Sequence, residues 1–339
     1  MSGLRVAVVG ATGAVGGEFL RLFEERNFPV RELRLLASER SVGKHLMFKG
    51  EEVPITLAEP DAFAGVDVAF FSAGATRSKA LAPAALDAGA LVIDNSSAFR
   101  MDADVPLVVP EINADAMLGK RLVAVPNCTA IILTMAVHPL RQLGRIERLI
   151  VSTYQSASGA GAAMMRHLEA ETRAALDGWA IPLPDSPLKV PYAFNLFSHN
   201  TPIGDDGANE EESKVIAETR KILGMSDLRV NVTCVRVPVL RAHTVSVTVE
   251  FTDAAPSEDA VREVLAASPG VRVIDDRAAN RFPTPHDASG QGDVLVGRIR
   301  RDASNPNGLC LLIAGDQLLK GAALNAVQIA ETALSLTPA

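Results

Sequence analysis

The stretch that decides the fold is LRVAVVGATGAVG, residues 4–16. Residues 4–9 are almost continuously apolar, which is typical of a strand buried on both faces of a parallel sheet. A glycine-rich loop follows, and apolar residues then recur at helical spacing from Val15 to Phe23. Strand, glycine loop and helix predict a dinucleotide-binding domain, because glycines let main chain approach a pyrophosphate and a helix N-terminus attracts it. The alternative is an ordinary tight turn, since the spacing G-x-x-G-x-x-G is a weak signal by itself.

The next hundred residues continue the alternation of strands and helices. Apolar runs predict further strands at residues 33–37, 66–71, 91–94 and 105–109, and helical spacing predicts a helix at residues 79–88. Strands that alternate with helices in this way predict a doubly wound parallel sheet of the Rossmann type. Ligands of such sheets gather beyond the carboxyl ends of the strands, which is where Arg100 follows the strand at 91–94.

The end of the second predicted strand carries the segment Ser38-Glu39-Arg40-Ser41. At this place an acidic residue would bind the ribose 2′-hydroxyl of NAD, whereas an arginine would bind the 2′-phosphate of NADP. Arg40 with hydroxyls on both sides suits a phosphate, while Glu39 can point to solvent. The segment therefore favours NADP, read by Ser38, Arg40 and Ser41; the alternative is a solvated charged turn.

A candidate nucleophile lies in the segment Val125-Pro126-Asn127-Cys128-Thr129-Ala130. A short strand is predicted at residues 122–125, and residues 129–137 predict a helix with an apolar stripe. Cys128 would then lie at a helix N-terminus, where the dipole favours the thiolate and main-chain N–H groups can hold an oxyanion. The alternative is a buried structural cysteine.

The second half predicts a mixed α+β domain. A strand at 146–153 leads into a loop of Ser, Gly and Ala, a helix at 162–176 and a proline-rich passage at 182–202. Residues 228–237 and 244–251 alternate with period two, as in an antiparallel sheet with one covered face, and a last helix is predicted at 318–336. The helix predicted at 208–223 places Glu211 and Lys214 on one face, where the alternative to a site is a surface ion pair.

One of the six histidines stands apart. His243 begins a predicted strand beside Arg236 and Arg241, and cations so close would lower its pKa and keep it neutral, able to take a proton. The other five are read as structural, since a lone histidine usually is.

Composition bounds the remaining possibilities. A chain of 339 residues with 48% hydrophobic and 22% charged residues suits a protein of two domains. A net charge of −7 and only 4% aromatic residues disfavour nucleic acid as a partner, and no apolar run reaches the ~18 residues of a membrane span. The three cysteines Cys128, Cys234 and Cys310 form neither a disulfide framework nor a zinc pattern, so we expect no metal and a reducing, cytoplasmic setting.

Taken together, these motifs resemble the aspartate-semialdehyde dehydrogenase family, and in particular its bacterial branch. The resemblance covers essentially the whole chain, and its specificity comes from the order and spacing of the motifs. They are residues 10–16, 94–100, 126–129, 152–155 with 158–159, 211–214, 236–243 and 315–323. Thr129-Ala130 departs from the Ser-Thr that relatives often have after the cysteine.

The resemblance implies a role for each site residue. Cys128 would be the nucleophile, His243 the acid–base group, and Gln155 would orient the substrate carbonyl. Arg236 would bind the α-carboxylate and Glu211 the α-ammonium, while Arg100 and Lys214 would bind phosphate. Contacts to NADP would come from Gly10, Thr12, Gly13, Ala14, Val15, Ser38, Arg40, Ser41, Ser158, Gly159 and Gln317.

The resemblance also implies the domains and the reaction. Residues 1–127, completed by 316–339, would bind the dinucleotide, and 128–315 would form the catalytic and dimerisation domain of a homodimer. A Cys128 thiolate would add to an aldehyde, hydride would leave to the nicotinamide, and phosphate would cleave the resulting thioester. In reverse, NADPH would reduce aspartyl phosphate to the semialdehyde for lysine, methionine and threonine synthesis. The alternatives are N-acetyl-γ-glutamyl-phosphate reductase, a relative with the same Cys–His chemistry, and a dinucleotide-binding regulator without catalysis.

Overall fold

The computed structural model describes residues 3–336, except for the side chain of Leu336. The chain folds into two compact units. The first unit contains the residues up to Asn127 and those from Gly321 onward, and the second unit contains Cys128–Lys320. Within residues 3–336, no helix combines the length and the apolar character that crossing a membrane requires.

The first unit contains seven strands and four α-helices among its described residues. Its strands are β1 (Leu4–Val9), β2 (Val30–Ala37), β3 (His45–Phe48), β4 (Glu51–Leu57), β5 (Val68–Phe71), β6 (Leu91–Asp94) and β7 (Leu122–Ala124). Its helices are α1 (Ala14–Glu25), α2 (Ala75–Asp87), the short α3 (Pro110–Asn113) and, after the second unit, α9 (Leu324–Leu336).

These strands form one sheet in the order β3-β4-β2-β1-β5-β6-β7. All neighbours are parallel except β3, which runs antiparallel to β4 at the edge. The strand β1 lies between β2 and β5, and its residues 6–9 are fully buried because the sheet is covered on both faces. The strands β2 to β4 lie on one side of β1, and the strands β5 to β7 lie on the other. The loop after β1 is therefore at the switch point where dinucleotides bind in such sheets.

Two of the predictions for this unit need correction. Residues 105–109 are not a strand; Leu107 alone makes an isolated bridge to Ala124. Pro106 has no N–H to donate and Pro110 begins α3, so the apolar run cannot form a ladder. The predicted helix at 79–88 begins earlier, at Ala75.

The second unit, all of whose residues are described, contains seven strands, five α-helices and the start of a π-helical turn. Its strands are β8 (Ile146–Gln155), β9 (Phe197–Ser198), β10 (Arg229–Arg236), β11 (His243–Phe251), β12 (Val271–Val273), β13 (Val294–Arg301) and β14 (Gly308–Gly315). Its helices are α4 (Cys128–Val137), α5 (Ala162–Leu176), α6 (Glu210–Leu223), α7 (Glu258–Ala266) and α8 (Pro285–Ala288). The π-helical turn, Leu319–Ala323, precedes α9, so the last predicted helix is interrupted near Gly321.

The sheet of this unit is mixed, with the order β12-β13-β14-β11-β8-β10-β9. The strand β11 is antiparallel to both β8 and β14, but β10 runs parallel to β8. The antiparallel arrangement expected from the alternation in β10 is therefore wrong for its pairing with β8, although β10 is antiparallel to the two-residue strand β9. Alternation reports that one face of a strand is covered, and it says nothing about the direction of the neighbouring strand.

Helix α4 differs from the helix with an apolar stripe that the sequence predicted. Every residue from Thr129 to Val137 is buried, so the helix is enclosed on all sides. It lies against the sheet of the second unit: a Cβ placed on Gly315 of β14 would come within 2.8 Å of the Ile132 side chain. The glycine thus allows the helix that begins at Cys128 to approach the sheet closely.

Candidate active site

Three predicted site residues form a row across the sheet of the second unit. Arg236 on β10 pairs with Gln155 on β8. Thr244 on β11 pairs with Tyr154 on β8, so the residue before it, His243, lies beside Gln155. Successive side chains point to opposite faces of a strand, so His243 and Gln155 share the face opposite to Thr244 and Tyr154. Gly315 on β14 pairs with His243, and it faces Ile132 of α4. Helix α4 therefore packs on the face of the sheet that carries the row. Strand register therefore brings together residues that are far apart in the sequence.

Gln155 connects this row to helix α6. Its side-chain oxygen accepts a hydrogen bond from Thr153 Oγ1 at 3.0 Å, and its Nε2 donates to Glu211 Oε1 at 3.1 Å. Glu211 lies in the first turn of α6, where Asn209 and Glu212 form a reciprocal capping box. Both Gln155 and Glu211 are buried, so the helix start holds a carboxylate against the row in a poorly solvated place.

Arg236 is held from two sides. Its Nη1 donates to the main-chain oxygen of Ser156 at 2.7 Å, and its Nη2 lies 2.6 Å from His199 Nε2. Burial, with Arg236 next in importance, lowers the pKa of His199 to about 4, so the ring is neutral and can accept from the guanidinium. These contacts orient a nearly buried guanidinium whose fork suits a carboxylate.

His243 is fully buried at the start of β11. Burial, with Arg236 and His199 adding to it, holds the pKa of His243 well below its ordinary value. The predicted direction is therefore confirmed, but burial is the leading cause. Arg241, the other cation expected to act, instead forms an ion pair with Asp316 at 2.6 Å.

Cys128 is the first residue of α4 and is partly exposed. It is close enough to Cys234 to influence it electrostatically, and Cys234 lies two residues before Arg236 on the same face of β10. Cys128 therefore approaches the face that carries the row. Burial is the main cause that raises the pKa of Cys234 to about 12, which makes this second thiol inert at neutral pH.

The remaining predicted residues of the second unit lie around this row. A Cβ on Gly159 would come within 2.9 Å of His243 Cε1 and 3.1 Å of Arg236 Nη1, so only glycine leaves this space open. Gln317 donates from Nε2 to Ser158 Oγ in a short hydrogen bond and accepts from the Ala242 N–H at 3.0 Å. Lys214 Nζ pairs with Glu210 Oε1 at 2.6 Å, and its charge is near enough to His199 to help lower the pKa of that ring.

In the first unit, the glycine loop provides a main-chain cradle. Gly10 has a φ of +91°, and a Cβ there would lie 2.4 Å from the Ser72 oxygen. A Cβ on Gly16 would lie 2.5 Å from the oxygens of Gly10 and Ala11. No side chain caps α1 at Gly13, so the N–H groups of Ala14 and Val15 have no acceptor within the helix and can bind an anion. The residues present therefore fit a dinucleotide pyrophosphate.

The residues predicted to recognise NADP lie beside this loop. Ser41 is in a single 3₁₀ turn, Glu39–Ser41, and its hydroxyl lies 3.5 Å from Thr12 Oγ1. Ser38 precedes the turn, and both Glu39 and Arg40 are exposed. Ser41 thus lies next to the glycine loop, and Ser38 and the exposed Arg40 belong to the same short segment.

Arg100 lies in the first unit as well, although its proposed ligand is the substrate. Its Nε donates to the Val125 oxygen and its Nη2 to the Asn95 oxygen, both at 2.9 Å. Main-chain carbonyls therefore fix the direction of a guanidinium that is almost fully buried. As for metal ions, residues 3–336 contain no cluster of three His, Cys, Asp or Glu side chains suited to hold one.

Comparisons with known proteins agree with this geometry. Residues 5–119 match the family model of the semialdehyde dehydrogenase NAD binding domain, and residues 137–320 match the semialdehyde dehydrogenase dimerisation domain. An aspartate-semialdehyde dehydrogenase from Synechocystis sp. is 54% identical over 331 residues, covering 97% of each chain. The chain belongs to the aspartate-semialdehyde dehydrogenase family. A family member from Bacillus subtilis is 46% identical, again covering 97% of each chain.

A solved structure of the aspartate-semialdehyde dehydrogenase family extends the likeness to three dimensions. The crystal structure of aspartate semialdehyde dehydrogenase II from Vibrio cholerae, described as complexed with ASA, is 41% identical to this chain. It superposes with a TM-score of 0.94 and covers 99% of each chain. The expected family and the two-domain α/β fold, a Rossmann-like parallel sheet plus a domain with a mixed sheet, are confirmed. Two further expectations are confirmed: the cofactor is a nicotinamide dinucleotide, and the protein is an oxidoreductase that acts on an aldehyde group.

Two residues of this aspartate-semialdehyde dehydrogenase site escaped the sequence analysis. His199 is one of the five histidines that the sequence predicts to be structural, yet it directly follows β9 and contacts Arg236. Ser156 belongs to the predicted loop of Ser, Gly and Ala, yet it is buried and bonded to both Arg236 and His243. The two-residue strand β9 carries no periodic signal, so nothing local in the sequence pointed to His199.

Proposed function

We propose that this chain catalyses the reversible reductive dephosphorylation of L-4-aspartyl phosphate to L-aspartate 4-semialdehyde with NADP(H), in lysine, methionine and threonine biosynthesis. The observation that supports this choice is the row of Gln155, Arg236 and His243, with Glu211 against it and the Cys128 helix packed on its face. The relatives in the family are named for the same activity.

Cys128 is the proposed nucleophile. Its sulfur forms a bond to the aldehyde carbon while the carbonyl electrons move to oxygen, and the positive end of α4 favours the thiolate that this needs. A bound nicotinamide supplies the acceptor for the hydride that leaves this carbon, or its donor in reverse. A phosphate oxygen then bonds to the carbonyl carbon of the Cys128 thioester, and the sulfur leaves as thiolate. A thiol used in this way must stay reduced, which suits the cytoplasmic setting that we propose.

The two charged ends of an amino acid have matching groups in the second unit. We assign the α-carboxylate to Arg236, whose fork is pre-oriented by Ser156 and His199. We assign the α-ammonium to Glu211, a buried carboxylate bonded to Gln155. Gln155 in turn is proposed to orient the substrate carbonyl, while Arg100 and Lys214 are proposed to bind phosphate.

NADP is proposed as the cofactor on the basis of the first unit. The glycine loop with the start of α1 suits the pyrophosphate, through Gly10, Thr12, Gly13, Ala14 and Val15. Arg40 is exposed next to the Ser41 and Thr12 hydroxyls, a set that fits a 2′-phosphate by charge and by hydrogen-bonding geometry. Contacts from Ser158, Gly159 and Gln317 to the cofactor stay predictions.

We also propose that the two compact units are the two functional domains. The first unit would be the dinucleotide-binding domain and the second the catalytic and dimerisation domain. The first boundary between the units follows Asn127, as proposed for the domains. The second follows Lys320, five residues after the proposed boundary at residue 315.

A homodimer is proposed through the second unit. The sheet face opposite the active-site row is only half covered: Thr244, Ser246 and Thr248 of β11 are partly exposed, and Tyr154 of β8 is 41% exposed. Large apolar side chains in the same unit are more than 60% exposed, namely Leu176, Trp179, Phe194, Leu196 and Ile203. A second copy of this chain would cover such a face by a symmetric contact.

Light scattering during gel filtration tests the dimer. Ser246→Arg puts a charge in the centre of the open face, and we expect it to yield monomers. Leu118→Arg is the matched control, since it changes an exposed apolar side chain of the first unit. A Ser246→Arg protein that remains dimeric would show that the open face is not the contact.

One assay tests the activity and separates it from its rivals. Purified protein is given L-aspartate 4-semialdehyde or N-acetylglutamate semialdehyde, each with NADP or NAD and with or without inorganic phosphate, and the reduced cofactor is measured. We expect rapid oxidation only of the first aldehyde, with NADP and phosphate together. Turnover of the acetylated aldehyde would identify the reductase, and binding of NADP without turnover of either aldehyde would identify a regulator.

A further inference from the structure

Asp94 is a buried carboxylate that the proposed reaction does not use. It is the last residue of β6, between β5 and β7, and it is fully enclosed. Its Oδ1 accepts from Ser78 Oγ at 2.7 Å and from the Ser96 N–H at 3.0 Å, and its Oδ2 accepts from Ser96 Oγ at 2.7 Å. Replacing a buried charge by an apolar residue is often neutral or stabilising, so a purely structural position would not require this carboxylate.

The carboxylate fixes the turn that follows β6. Ser96 Oγ accepts from the Ala98 N–H at 3.1 Å, so the carboxylate and the turn are linked by a chain of hydrogen bonds. Asn95 lies inside this turn, and its N–H donates to the Phe71 oxygen at 2.9 Å. The C=O of Asn95 belongs to the same planar peptide group as the N–H of Ser96. The bond from that N–H to Asp94 Oδ1 therefore also sets the direction of the Asn95 oxygen.

The Asn95 oxygen is one of two main-chain acceptors that orient Arg100. Arg100 Nη2 donates to the Asn95 oxygen and its Nε donates to the Val125 oxygen, both at 2.9 Å. The second acceptor is also connected to Asp94, because the Val125 N–H donates to the Asp94 main-chain oxygen at 2.8 Å. Asp94 thus supports one acceptor through its side chain and the other through its main chain.

These two contacts orient the guanidinium of Arg100 without cancelling its charge, because both acceptors are neutral carbonyl groups. An arginine that is already held in one direction loses little conformational freedom when an anion binds. Its parallel N–H groups then suit two oxygens of one phosphate. The affinity for phosphate should therefore depend on how firmly the two carbonyl groups are held.

We propose that Asp94 is a positioning residue that sets the direction of Arg100 and thereby the affinity for inorganic phosphate. Ser78 of α2 and Ser96 hold the Asp94 carboxylate in place. This inference rests on the proposed function, in which Arg100 binds phosphate. Asp94 itself does not contact the phosphate; it acts through the carbonyl of Asn95. Its loss should raise KM for phosphate and change kcat little, because the groups that form and cleave the thioester are unchanged.

A matched pair of substitutions at Asp94 separates geometry from charge. In Asp94→Asn the amide oxygen can still accept from Ser78 and from the Ser96 N–H, and the amide Nδ2 can donate to Ser96 Oγ. Asp94→Ala removes all three bonds. Initial rates are measured with saturating aspartate semialdehyde and NADP and with varied phosphate. We expect KM for phosphate to rise by about 10–10²-fold in Asp94→Ala, the order of loss for a misplaced binding group, and by less than about threefold in Asp94→Asn.

Two results of this comparison would overturn the proposal. Equal rises of KM for phosphate in Asp94→Asn and Asp94→Ala would assign the effect to the charge of the carboxylate and not to the turn that it holds. Equal rises of KM for phosphate, aldehyde and NADP in Asp94→Ala would show a general loss of structure.

A double-mutant cycle shows whether Asp94 acts through Arg100. Arg100→Ala removes the group that Asp94 positions, so adding Asp94→Ala to it should not lower kcat/KM for phosphate any further. Residues that act independently would instead add their free energies. Additive losses would mean that Asp94 acts by another route and that the inference is wrong.

Asn113→Ala is the control for loosening of the first unit. Asn113 Oδ1 accepts from the Val109 N–H and its Nδ2 donates to the Leu107 oxygen, both at 2.9 Å, so this side chain holds a different segment of the same unit. We expect Asn113→Ala to lower Tm and to leave KM for phosphate unchanged. A rise of KM for phosphate as large as in Asp94→Ala would show that any loosening of this unit is sufficient.

Ser78→Ala and Ser96→Ala provide the same test if Asp94→Ala does not fold. Each variant removes one hydroxyl donor and keeps the carboxylate with its charge. We expect each to raise KM for phosphate by about two- to tenfold, the equivalent of one hydrogen bond, with kcat nearly unchanged. An unchanged KM for phosphate in both variants would overturn the proposal.

Direct binding of inorganic phosphate to the full-length protein, followed by ³¹P NMR line width, separates this inference from the proposed function because it needs no turnover. A wild type that binds phosphate but does not oxidise aspartate semialdehyde would contradict the proposed function. The comparison of Asp94→Ala with Asp94→Asn would then still decide the inference. A wild type that binds phosphate no better than Arg100→Ala would contradict both.

Discussion

The glycine loop of the first unit and the active-site row of the second unit are both built to hold ligands, but they are built differently. The loop takes its groups from seven consecutive residues, 10–16, and offers main-chain N–H donors. The row takes Gln155, Arg236 and His243 from three strands and Glu211 from a helix, and it offers side chains.

This difference determines how each region responds to substitution. The loop requires positions without a side chain, because a Cβ on Gly16 would collide with main-chain oxygens at 2.5 Å. In the row, each side chain has one or two identified partners, so changing a single group alters chemistry and leaves the fold in place. Substitutions that remove a reactive or charged group should therefore have their largest effects on catalysis in the second unit. Substitutions that add a Cβ to the loop or alter cofactor recognition should act on dinucleotide binding in the first unit.

The largest effect is expected at Cys128. Cys128→Ala removes the nucleophile, and we expect kcat to fall by at least about 10³-fold, in line with losses measured for other covalent nucleophiles. Affinity for NADP, measured by fluorescence titration, should not change, because Cys128 is not one of the residues that we expect to hold the dinucleotide. Iodoacetamide at neutral pH should react with Cys128 before Cys234, whose thiol has its pKa raised to about 12 by burial. A Cys128→Ala protein with a tenth of the wild-type activity would rule out covalent catalysis there.

Glu211 should show the next largest effect. Glu211→Gln keeps an oxygen that can accept from Gln155 Nε2 but removes the charge proposed to meet the ammonium. We expect kcat/KM for aspartate semialdehyde to fall by about 1.5–3 kcal/mol in free-energy terms, the range for hydrogen bonds to charged groups. The slow reaction with N-acetylglutamate semialdehyde, which has no ammonium, is the control and should not fall. No change for either substrate would reverse the choice between the two relatives.

The glycine loop offers a steric test with a control in the same helix. Gly16→Ala places a Cβ against the Gly10 and Ala11 oxygens, whereas Gly17→Ala meets nothing within 4 Å. We expect Gly16→Ala to weaken both NADP and NAD binding and to cost about 2 kcal/mol of stability. Gly17→Ala should be neutral or stabilise α1 by up to ~1 kcal/mol. Equal dinucleotide affinities in the two variants would show that close approach at Gly16 is not required.

His199 should make the protein less stable in mild acid. Because burial and Arg236 lower the folded pKa of His199 to about 4, the unfolded chain binds more protons between that value and about 6.5. The contribution of His199 is therefore complete above about pH 6.5 and is lost as the pH falls, by about 1–2 kcal/mol at pH 5.

The pH effect is measured as a difference between two proteins. Urea unfolding of the wild type and of His199→Gln at a series of pH values should show a smaller loss of unfolding free energy in the variant, since glutamine does not titrate. His286→Gln, which changes a histidine outside the row, is the control. Identical pH dependence in the wild type and His199→Gln would mean that His199 is not held neutral by Arg236 and burial.

Arg40 should produce the smallest effect, because this residue is exposed to solvent, where charge interactions are weak. Arg40→Ala should weaken NADP by about tenfold, roughly 1.4 kcal/mol, and leave NAD nearly unchanged, since only NADP carries the 2′-phosphate. Glu39→Ala is the neighbouring control and should not weaken NADP. Equal weakening of both dinucleotides by Arg40→Ala, or a wild type that prefers NAD, would contradict the assignment of NADP.

The sequence by itself determined the first unit in most respects. A buried strand, three glycines and a helix start are all local features, and the energy that favours each one comes from neighbouring residues. The strand wrongly predicted at 105–109 shows the limit even here, because hydrophobicity alone could not outweigh the missing N–H of Pro106.

Only the tertiary structure decided how the second unit works. The sequence indicated Cys128, Gln155, Glu211, Arg236 and His243, but not that β10 runs parallel to β8, and this pairing places Arg236 beside Gln155. His199 and Ser156 had no local signal at all; their importance comes from a two-residue strand and from one main-chain N–H. Strand pairing, burial and the protonation of a histidine depend on residues distant in the chain, and no short stretch of sequence encodes them.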